Sequence, residues 1–422
     1  MQRQRYYHAI AVVVSLWLVF VAHSCTLGRP VKAEMHLGEV TAAPLVQVGL
    51  GRCLRDPSAR IAVQGPYEVR ARGEVLSRGD DLDWVEVRAG ETGVQIGGTS
   101  FAENPVTVVP LRDGTLSVEY SRDHRGNPLR PAPIRYHGSL LVHALPDRKL
   151  ALVNEVDLEL YLKGVVGKEM NLAEGEEALK TQVIAARTYA VHEQRLERLR
   201  RVKGERFDLY DDERSQVYGG MERETASASR LVDETRGLFL VYENRLVRTF
   251  YSSCCGGCTE PAWEVLQDET ERMPPLQGRK CDYCMRRSIY RWKEPVVVSK
   301  KEISDRCLPK DLPGARVKSV EIAKTLPGGH ALEVAVSLEN SARVVRLQAN
   351  SDFRRLLQPS RFRSLLWDRI EDRGDTIAIW GRGFGHGAGM CQVGAYEMAK
   401  DGKTCAEILE YYFPGAKVQK LY

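Results

Sequence analysis

Several features are missing from this 422-residue chain, and each absence removes a class of function. After the first 22 residues no apolar run is long enough to cross a bilayer, which takes about 20 residues. The body of the chain is therefore expected on one side of a membrane, outside the cytoplasm. The formal net charge is only +5 and no array of basic and aromatic residues accompanies it, so the chain does not read as a nucleic-acid binder. The glycine-rich segment Gly381–Ala395 (GRGFGHGAGMCQVGA) lacks GK[ST] and is not a phosphate loop. No βαβ pattern surrounds it, which argues against a dinucleotide turn. The CxxC pairs likewise lack a thioredoxin-like βαβ setting, which weakens a redox reading. No internal repeat and no low-complexity tract occurs.

What is present is a folded protein with a leader. Hydrophobic content of 43% and charged content of 28% suit a globular chain with room for two or three cores. Arg3 and Arg5 precede the apolar run Ala9–Ala22, too short for a membrane span and suited to a signal h-region. Residues 1–25 are read as a signal peptide or signal anchor, with cleavage before Cys25 or lipidation of Cys25 as the variants. Residues 26–42 read as a linker. From 43 to 154, short alternating runs such as RIAVQG and TLSVEY, broken by turn residues, predict a β-rich region. Glu174–Lys203 predicts one long helix, because Leu179, Val183, Ala186 and Ala190 recur at helical spacing. Antiparallel strands are expected around Pro327-Gly328-Gly329, and helices at 392–400 and 406–411. The fold class is α+β: a β-rich region, then a mixed region over 155–422 with the long helix and a small cysteine-knuckle insertion at 254–284.

One carboxyl is singled out. Glu169 follows Gly164, Val165, Val166 and Gly167 and is expected in a turn before the long helix. Apolar neighbours raise a carboxyl pKa toward neutrality, where it can give up a proton to a leaving oxygen. Lys168 would oppose that rise if its ammonium lay close. Taken alone, an exposed surface glutamate is the commoner case. Glu174, Glu176 and Glu177 suit the first turn of the helix, where they complement its dipole.

There are ten cysteines. Cys255, Cys258, Cys281 and Cys284 form two CxxC knuckles, a spacing that fits one tetrahedral zinc or two disulfides. Cys254 is a spare thiol that could exchange with Cys255 as a ligand.

Gly164–Ala190, GVVGKEMNLAEGEEALKTQVIAARTYA, closely resembles the signature of the SpoIID/LytB family, the stage II sporulation protein D-like peptidoglycan lytic transglycosylases and amidase enhancers. Asn171 stands where that signature has proline. Ser215–Gly220 (SQVYGG), Tyr251–Trp263 and GHGAGMCQVGA resemble further family elements, the last with Cys391 in place of serine. Trp292 follows the second knuckle as in the family. The resemblance implies that Glu169 is the catalytic acid and base of a lytic transglycosylase that cuts between N-acetylmuramic acid and N-acetylglucosamine and leaves a 1,6-anhydro end. It implies substrate strands stripped of stem peptides, with an amidase acting upstream as a partner. Lys180, Gln182, Arg187, Tyr189, Gln216, Tyr218, Ser253, His386 and Gln392 are the candidate glycan contacts. Gln amides and Tyr hydroxyls suit neutral sugar hydroxyls. Arg187 reads equally as a buried structural ion pair, and His386 as a satisfied structural histidine. Zinc-bearing branches of the family carry a similar knuckle, which favours a structural four-cysteine zinc site over disulfides. The alternative function is a non-catalytic glycan-binding amidase enhancer. Membrane contact is expected only through the N-terminal segment.

Overall fold

The computed structural model describes residues 42–51, 56–122, 128–169, 175–200, 206–266, 272–358 and 361–422. The segment expected to be a signal, nearly all of the expected linker, and Cys53 lie outside them. Among the described residues no helix is long and apolar enough to cross a membrane.

The β-rich stretch folds as two facing sheets. One has seven strands, in the order Leu209–Tyr210, Leu45–Gly49, Lys149–Asp157, Ser139–Leu145, Val106–Pro110, Tyr67–Ala71 and Glu74–Gly79. The other has six antiparallel strands, in the order Pro128–Tyr136, Thr115–Arg122, Ser58–Gln64, Leu82–Ala89, Val94–Ile96 and Thr99–Phe101. Alternation explains the pairing of faces: Ala59, Ile61 and Val63 are buried while Arg60 and Gln64 are exposed. Lys149–Asp157 is different, with Leu150 through Asn154 buried without a break. It is covered on both faces, by the six-stranded sheet and by the helices that follow. The boundary expected between residues 154 and 155 thus falls inside a strand. Leu45–Gly49 also runs parallel to Leu209–Tyr210, so the later chain completes the earlier sheet.

Helix α1 spans Leu158–Glu169 and α2 spans Glu176–Arg200. Asp157 caps α1, its Oδ1 accepting the N–H groups of Glu159 at 2.8 Å and Leu160 at 3.3 Å. Leu179, Val183, Ala186 and Ala190 are all buried, as the helical spacing requires. Helix α3, Ala226–Glu234, packs against α1 and α2. Helices α4 (Gln392–Lys400) and α5 (Cys405–Tyr412) pack on α2 from the other direction. Glu177 joins them directly, its Oε2 accepting the Cys405 N–H at 2.7 Å.

The remainder of the chain has smaller sheets. Val317–Thr325, Ala331–Leu338 and Val344–Gln348 form an antiparallel meander around the expected Pro327-Gly328-Gly329 turn. Val296–Ser299, Thr376–Arg382 and Leu366–Asp372 form a second. Two residues, Tyr251–Ser252, pair in parallel with Met390–Cys391.

Candidate functional site

Glu169 is the last residue of α1 rather than part of a turn. Gly164-Val165-Val166-Gly167 is helical, with both valines fully buried. Glycine weakens a helix interior by about 1 kcal/mol relative to alanine, and Gly164 has a packing reason to be there. A Cβ at Gly164 would stand 2.6 Å from the Tyr218 ring and 2.9 Å from the Gly220 carbonyl oxygen. The Gly164 carbonyl accepts the Gly219 N–H at 3.1 Å. The family-like SQVYGG element is thus the surface on which the glutamate-bearing helix lies. The Glu169 side chain and residues 170–174 fall outside the described residues.

Of the candidate contacts on α2, Lys180 is held at the surface by Glu234 at 3.2 Å and Glu177 at 3.4 Å. Burial opposes its charge, and these two carboxylates more than offset that, so its ammonium pKa lies above the ordinary value. Arg187 takes the structural course. It is fully buried, with Nε and Nη2 donating to the two oxygens of Glu159 at 2.9 and 2.7 Å and Nη2 donating to the Val232 carbonyl at 3.2 Å. Enclosed in this way, it is not open to a sugar. Tyr189 is buried against Phe250. Gln182 is fully buried, and its Oε1 accepts from Gln392 Nε2 at 3.3 Å.

A second group gathers on Tyr251. Gln216 Nε2 donates to the Tyr251 hydroxyl at 2.8 Å, and Gln216 Oε1 accepts from Tyr161 at 3.1 Å. His386 lies against the Tyr251 carbonyl at 2.9 Å, while its Nδ1 accepts the Ala388 N–H at 3.0 Å. Nδ1 is therefore the bare nitrogen and Nε2 carries the proton, which is the neutral tautomer. Ser253 is linked through its carbonyl, which accepts the Val393 N–H at 3.0 Å. Gln182, Tyr189, Gln216, Ser253, His386 and Gln392 are thereby brought together around the strand Tyr251–Ser252. Of these, Ser253 and His386 are half-buried, as is Tyr251, and the glutamines are buried. Tyr218 is engaged elsewhere: it stacks on Tyr161, and its hydroxyl donates to Asn154 at 3.1 Å. Burial pushes its phenol pKa up.

The thiols depart from the expected set. Cys255, Cys281, Cys284 and Cys391, all buried, have sulfurs within 4.8 Å of one another and could hold a metal ion. A tetrahedral ion with metal–sulfur bonds of about 2.3 Å needs sulfurs about 3.8 Å apart, and Cys255 and Cys284 stand 3.6 Å apart. The surrounding donors suit thiolates. Cys391 Sγ accepts from the N–H groups of Cys255 and Gly394, both at 3.3 Å, and the Tyr412 hydroxyl lies 3.2 Å from Cys281 Sγ. Hydrogen bonds shared with Cys281 and Cys284 raise the Cys255 pKa, and burial raises that of Cys391. Hydrogen bonds within the group lower the Cys281 pKa and bring that of Cys284 down to about 4, so the protons that a bound cation displaces are chiefly those of Cys255 and Cys391.

Cys258, expected in the group, is not part of it. Gly256 and Gly257 both adopt positive φ (73° and 110°), and the turn carries Cys258 into a backbone bridge with Lys280. Its thiol instead lies 3.2 Å from the Thr259 carbonyl, and burial, then the Glu260 carboxylate, push its pKa up to about 11. Cys391 replaces it because the parallel pairing of Ser252 with Cys391 delivers that thiol to the knuckle. Cys254 is also buried beside the group. Hydrogen bonds with Cys284 and Cys391 lower its pKa to about 4.

One buried pair was not anticipated from the sequence. Glu260 and His330 are each 1% exposed, with His330 Nδ1 2.9 Å from Glu260 Oε1. Glu260 Oε2 accepts the Gly328 N–H at 3.1 Å, and its own N–H donates to the Gly387 carbonyl at 2.8 Å. The pair thus ties the Pro327–Gly329 turn to the glycine-rich segment. A polar pair seventy positions apart leaves no local pattern in a sequence.

The stage II sporulation protein family model matches residues 146–242, which cover α1, α2 and α3. An uncharacterised protein of Brachyspira hyodysenteriae is 34% identical over 285 residues, 68% of this chain and 72% of that one. Stage II sporulation protein D of Bacillus subtilis is 30% identical over 288 residues, 64% of this chain and 76% of that one. The amidase enhancer of Bacillus subtilis is 25% identical over 369 residues, 72% of this chain and about half (48%) of that one. With the glutamate-bearing helix, its Tyr218–Gly220 seat and the glycine-rich segment assembled in one fold, the chain belongs to the SpoIID/LytB family.

Proposed function

We propose that the protein acts on the bacterial cell wall as a lytic transglycosylase, cutting the glycosidic bond between N-acetylmuramic acid and N-acetylglucosamine outside the cytoplasm. The observation that carries this reading is that Glu169 lies on α1, the helix seated on the family-like Tyr218–Gly220 element. In the mechanism that the family resemblance implies, Glu169 is protonated and gives its proton to the glycosidic oxygen as the C1–O bond breaks. The resulting carboxylate then takes the proton of the same sugar's C6 hydroxyl while O6 bonds to C1. The product is a 1,6-anhydro end, and no water is consumed. Ser253, His386 and Tyr251 supply the half-buried polar surface beside the buried glutamine network. The functional half is assigned to residues 155–422.

Cys255, Cys281, Cys284 and Cys391 would hold zinc, whose four thiolate ligands leave no open coordination position. When bound, it fixes the knuckle to the start of α4 and takes no part in bond breaking.

The test is incubation of the protein with purified peptide-free glycan strands and mass analysis of the products. Ends lighter by one water, absent with Glu169→Gln, are the expected result. Ends that carry the water would establish a hydrolase instead. The similarity to an amidase enhancer supports a second reading, a non-catalytic glycan binder that recruits an amidase. Strand binding without cleavage by the folded, metal-loaded protein, with amidase activity stimulated equally by Glu169→Gln, would select it.

A further inference from the structure

A cleft of about 290 Å³ opens on the small sheet formed by Val296–Ser299, Thr376–Arg382 and Leu366–Asp372. It is lined by Arg291, Trp292, Asp368, Arg369, Trp380 and Gly381. Its rear wall is the first part of the glycine-rich segment. Trp292 is clamped to that segment: its N–H donates to the Gly381 carbonyl at 3.1 Å and its indole N–H to the Gly383 carbonyl at 2.8 Å. Gly381 has to be glycine chiefly because a Cβ there would stand 2.6 Å from the Leu366 carbonyl oxygen, and it would also press on the Trp292 ring at 3.1 Å.

The cleft is short of negative charge. Arg382 takes the Asp368 carboxylate at 2.8 Å, and Arg291 reaches the same carboxylate only at 3.9 Å. Glu371 is shared in the same way, by Arg369 at 2.7 Å and Arg373 at 2.8 Å. Four arginines thus divide two carboxylates. Arg369 stacks over the Trp380 ring at 5.0 Å, which holds its guanidinium beside the cleft. The Arg291 side chain is 71% exposed with its loose partner. Indole surface beside guanidinium groups and one carboxylate is the chemistry that takes a sugar ring bearing an acid: stacking for the ring, a planar fork for its carboxylate, an acceptor for its hydroxyl or amide N–H.

We propose that this cleft is a subsite for a carboxylate-bearing amino sugar of a glycan strand, with Arg291 and Arg369 reading the carboxylate and Trp380 the ring. The proposal deepens the glycan reading above and rests on it for the identity of the polymer. Muramic acid carries a lactyl group whose carboxyl is an amide while a stem peptide is attached and a free anion once the peptide is removed. A subsite of this kind favours peptide-free strands by charge rather than by size.

The experiment measures binding of the full-length protein in the Glu169→Gln background, so that strands stay intact. The ligands are peptide-free strands, the same strands with their carboxyls converted to amides, and N-acetylglucosamine oligomers. Arg291→Glu with Arg369→Glu should weaken binding of peptide-free strands by about tenfold or more, an effect that shrinks in high salt. Binding of the amidated strands and of the oligomers should change less than about twofold, the allowance for a remote surface charge. Lys318→Glu, an exposed charge on the Val317–Thr325 strand, controls for net charge and should leave all three unchanged. Trp380→Ala should weaken all three ligands together. Equal affinity of the starting protein for peptide-free and amidated strands would overturn the proposal, as would charge reversal without effect. Carboxylate-dependent binding in this background, together with no cleavage by the protein that keeps Glu169, would sustain the subsite and remove the lytic reading.

Discussion

The two halves of this molecule are held together by different means. In the β-rich half, strands of five to nine residues such as Leu45–Gly49, Ser139–Leu145 and Lys149–Asp157 pair along most of their length over an apolar interior. In the half that carries the knuckle, Tyr251–Ser252 and Met390–Cys391 pair over two residues only, and four buried thiols and a row of positive-φ glycines occupy the junction. Apolar burial spreads stability over many contacts. A side-chain junction concentrates it in a few atoms, which makes the junction of Tyr251–Ser252 with Met390–Cys391 the more sensitive to single changes.

The largest break in that contrast should come from the thiols. Structural zinc is worth about 10 kcal/mol or more to small domains that depend on it. A strong chelator should therefore accelerate amide exchange over Met390–Tyr412 far more than over Lys149–Asp157. Cys391→Ser should abolish stoichiometric metal binding and Cys258→Ser should retain it, as read by elemental analysis. Equal acceleration in both halves would dissolve the distinction.

Arg187→Met ranks next. It leaves Glu159 buried without its cation, a loss of about 3–5 kcal/mol for broken buried pairs, and denaturant unfolding should show it. A smaller, pH-dependent effect belongs to Glu193. Arg248 donates to both its oxygens at 2.7 and 2.9 Å. Burial would raise its carboxyl pKa, but the Arg248 charge and the His192 and Arg248 hydrogen bonds prevail and bring it down to about 2. The folded value lies below the unfolded one. This stabilisation is therefore complete above about pH 4.5 and is lost as pH falls toward 2, a contribution of roughly 3 kcal/mol. Arg248→Met should flatten stability against pH in that window.

Gly164→Ala sharpens the comparison from the helical side. Overpacking against Tyr218 costs about 1–3 kcal/mol, and the gain in helix propensity of about 1 kcal/mol offsets part of it. A small drop in melting temperature should accompany a larger loss of strand cleavage, because the added methyl displaces the end of α1. At the bottom of the scale, Lys180→Ala removes a surface ion pair worth less than about 1 kcal/mol and should leave strand affinity unchanged.

Patterns that repeat at short range were legible in the sequence. The periodic apolar residues of α2, the helix at 392–400 and the hairpin around Pro327–Gly329 all stand where spacing and turn chemistry put them. Helix α1 was not legible, because glycine disfavours a helix interior and only Tyr218 shows what the lack of a Cβ at Gly164 admits. The knuckle was legible in part. Three of its thiols follow from the CxxC spacing, and the fourth comes from a strand 136 positions away from Cys255. The types of the glycan candidates said nothing of burial, and so Arg187, Gln216 and Tyr218 look alike in sequence to residues that reach solvent.

The late arrival of Cys391 has a consequence for how the protein is made. Cys255, Cys281 and Cys284 leave the ribosome well before it, and until it appears the folded group of four buried sulfurs lacks one member. A chain cut or stalled before Met390 keeps its β-sandwich sequence intact yet never assembles the four-thiol group. Gathering all four buried sulfurs thus requires a polypeptide that extends through Met390–Cys391.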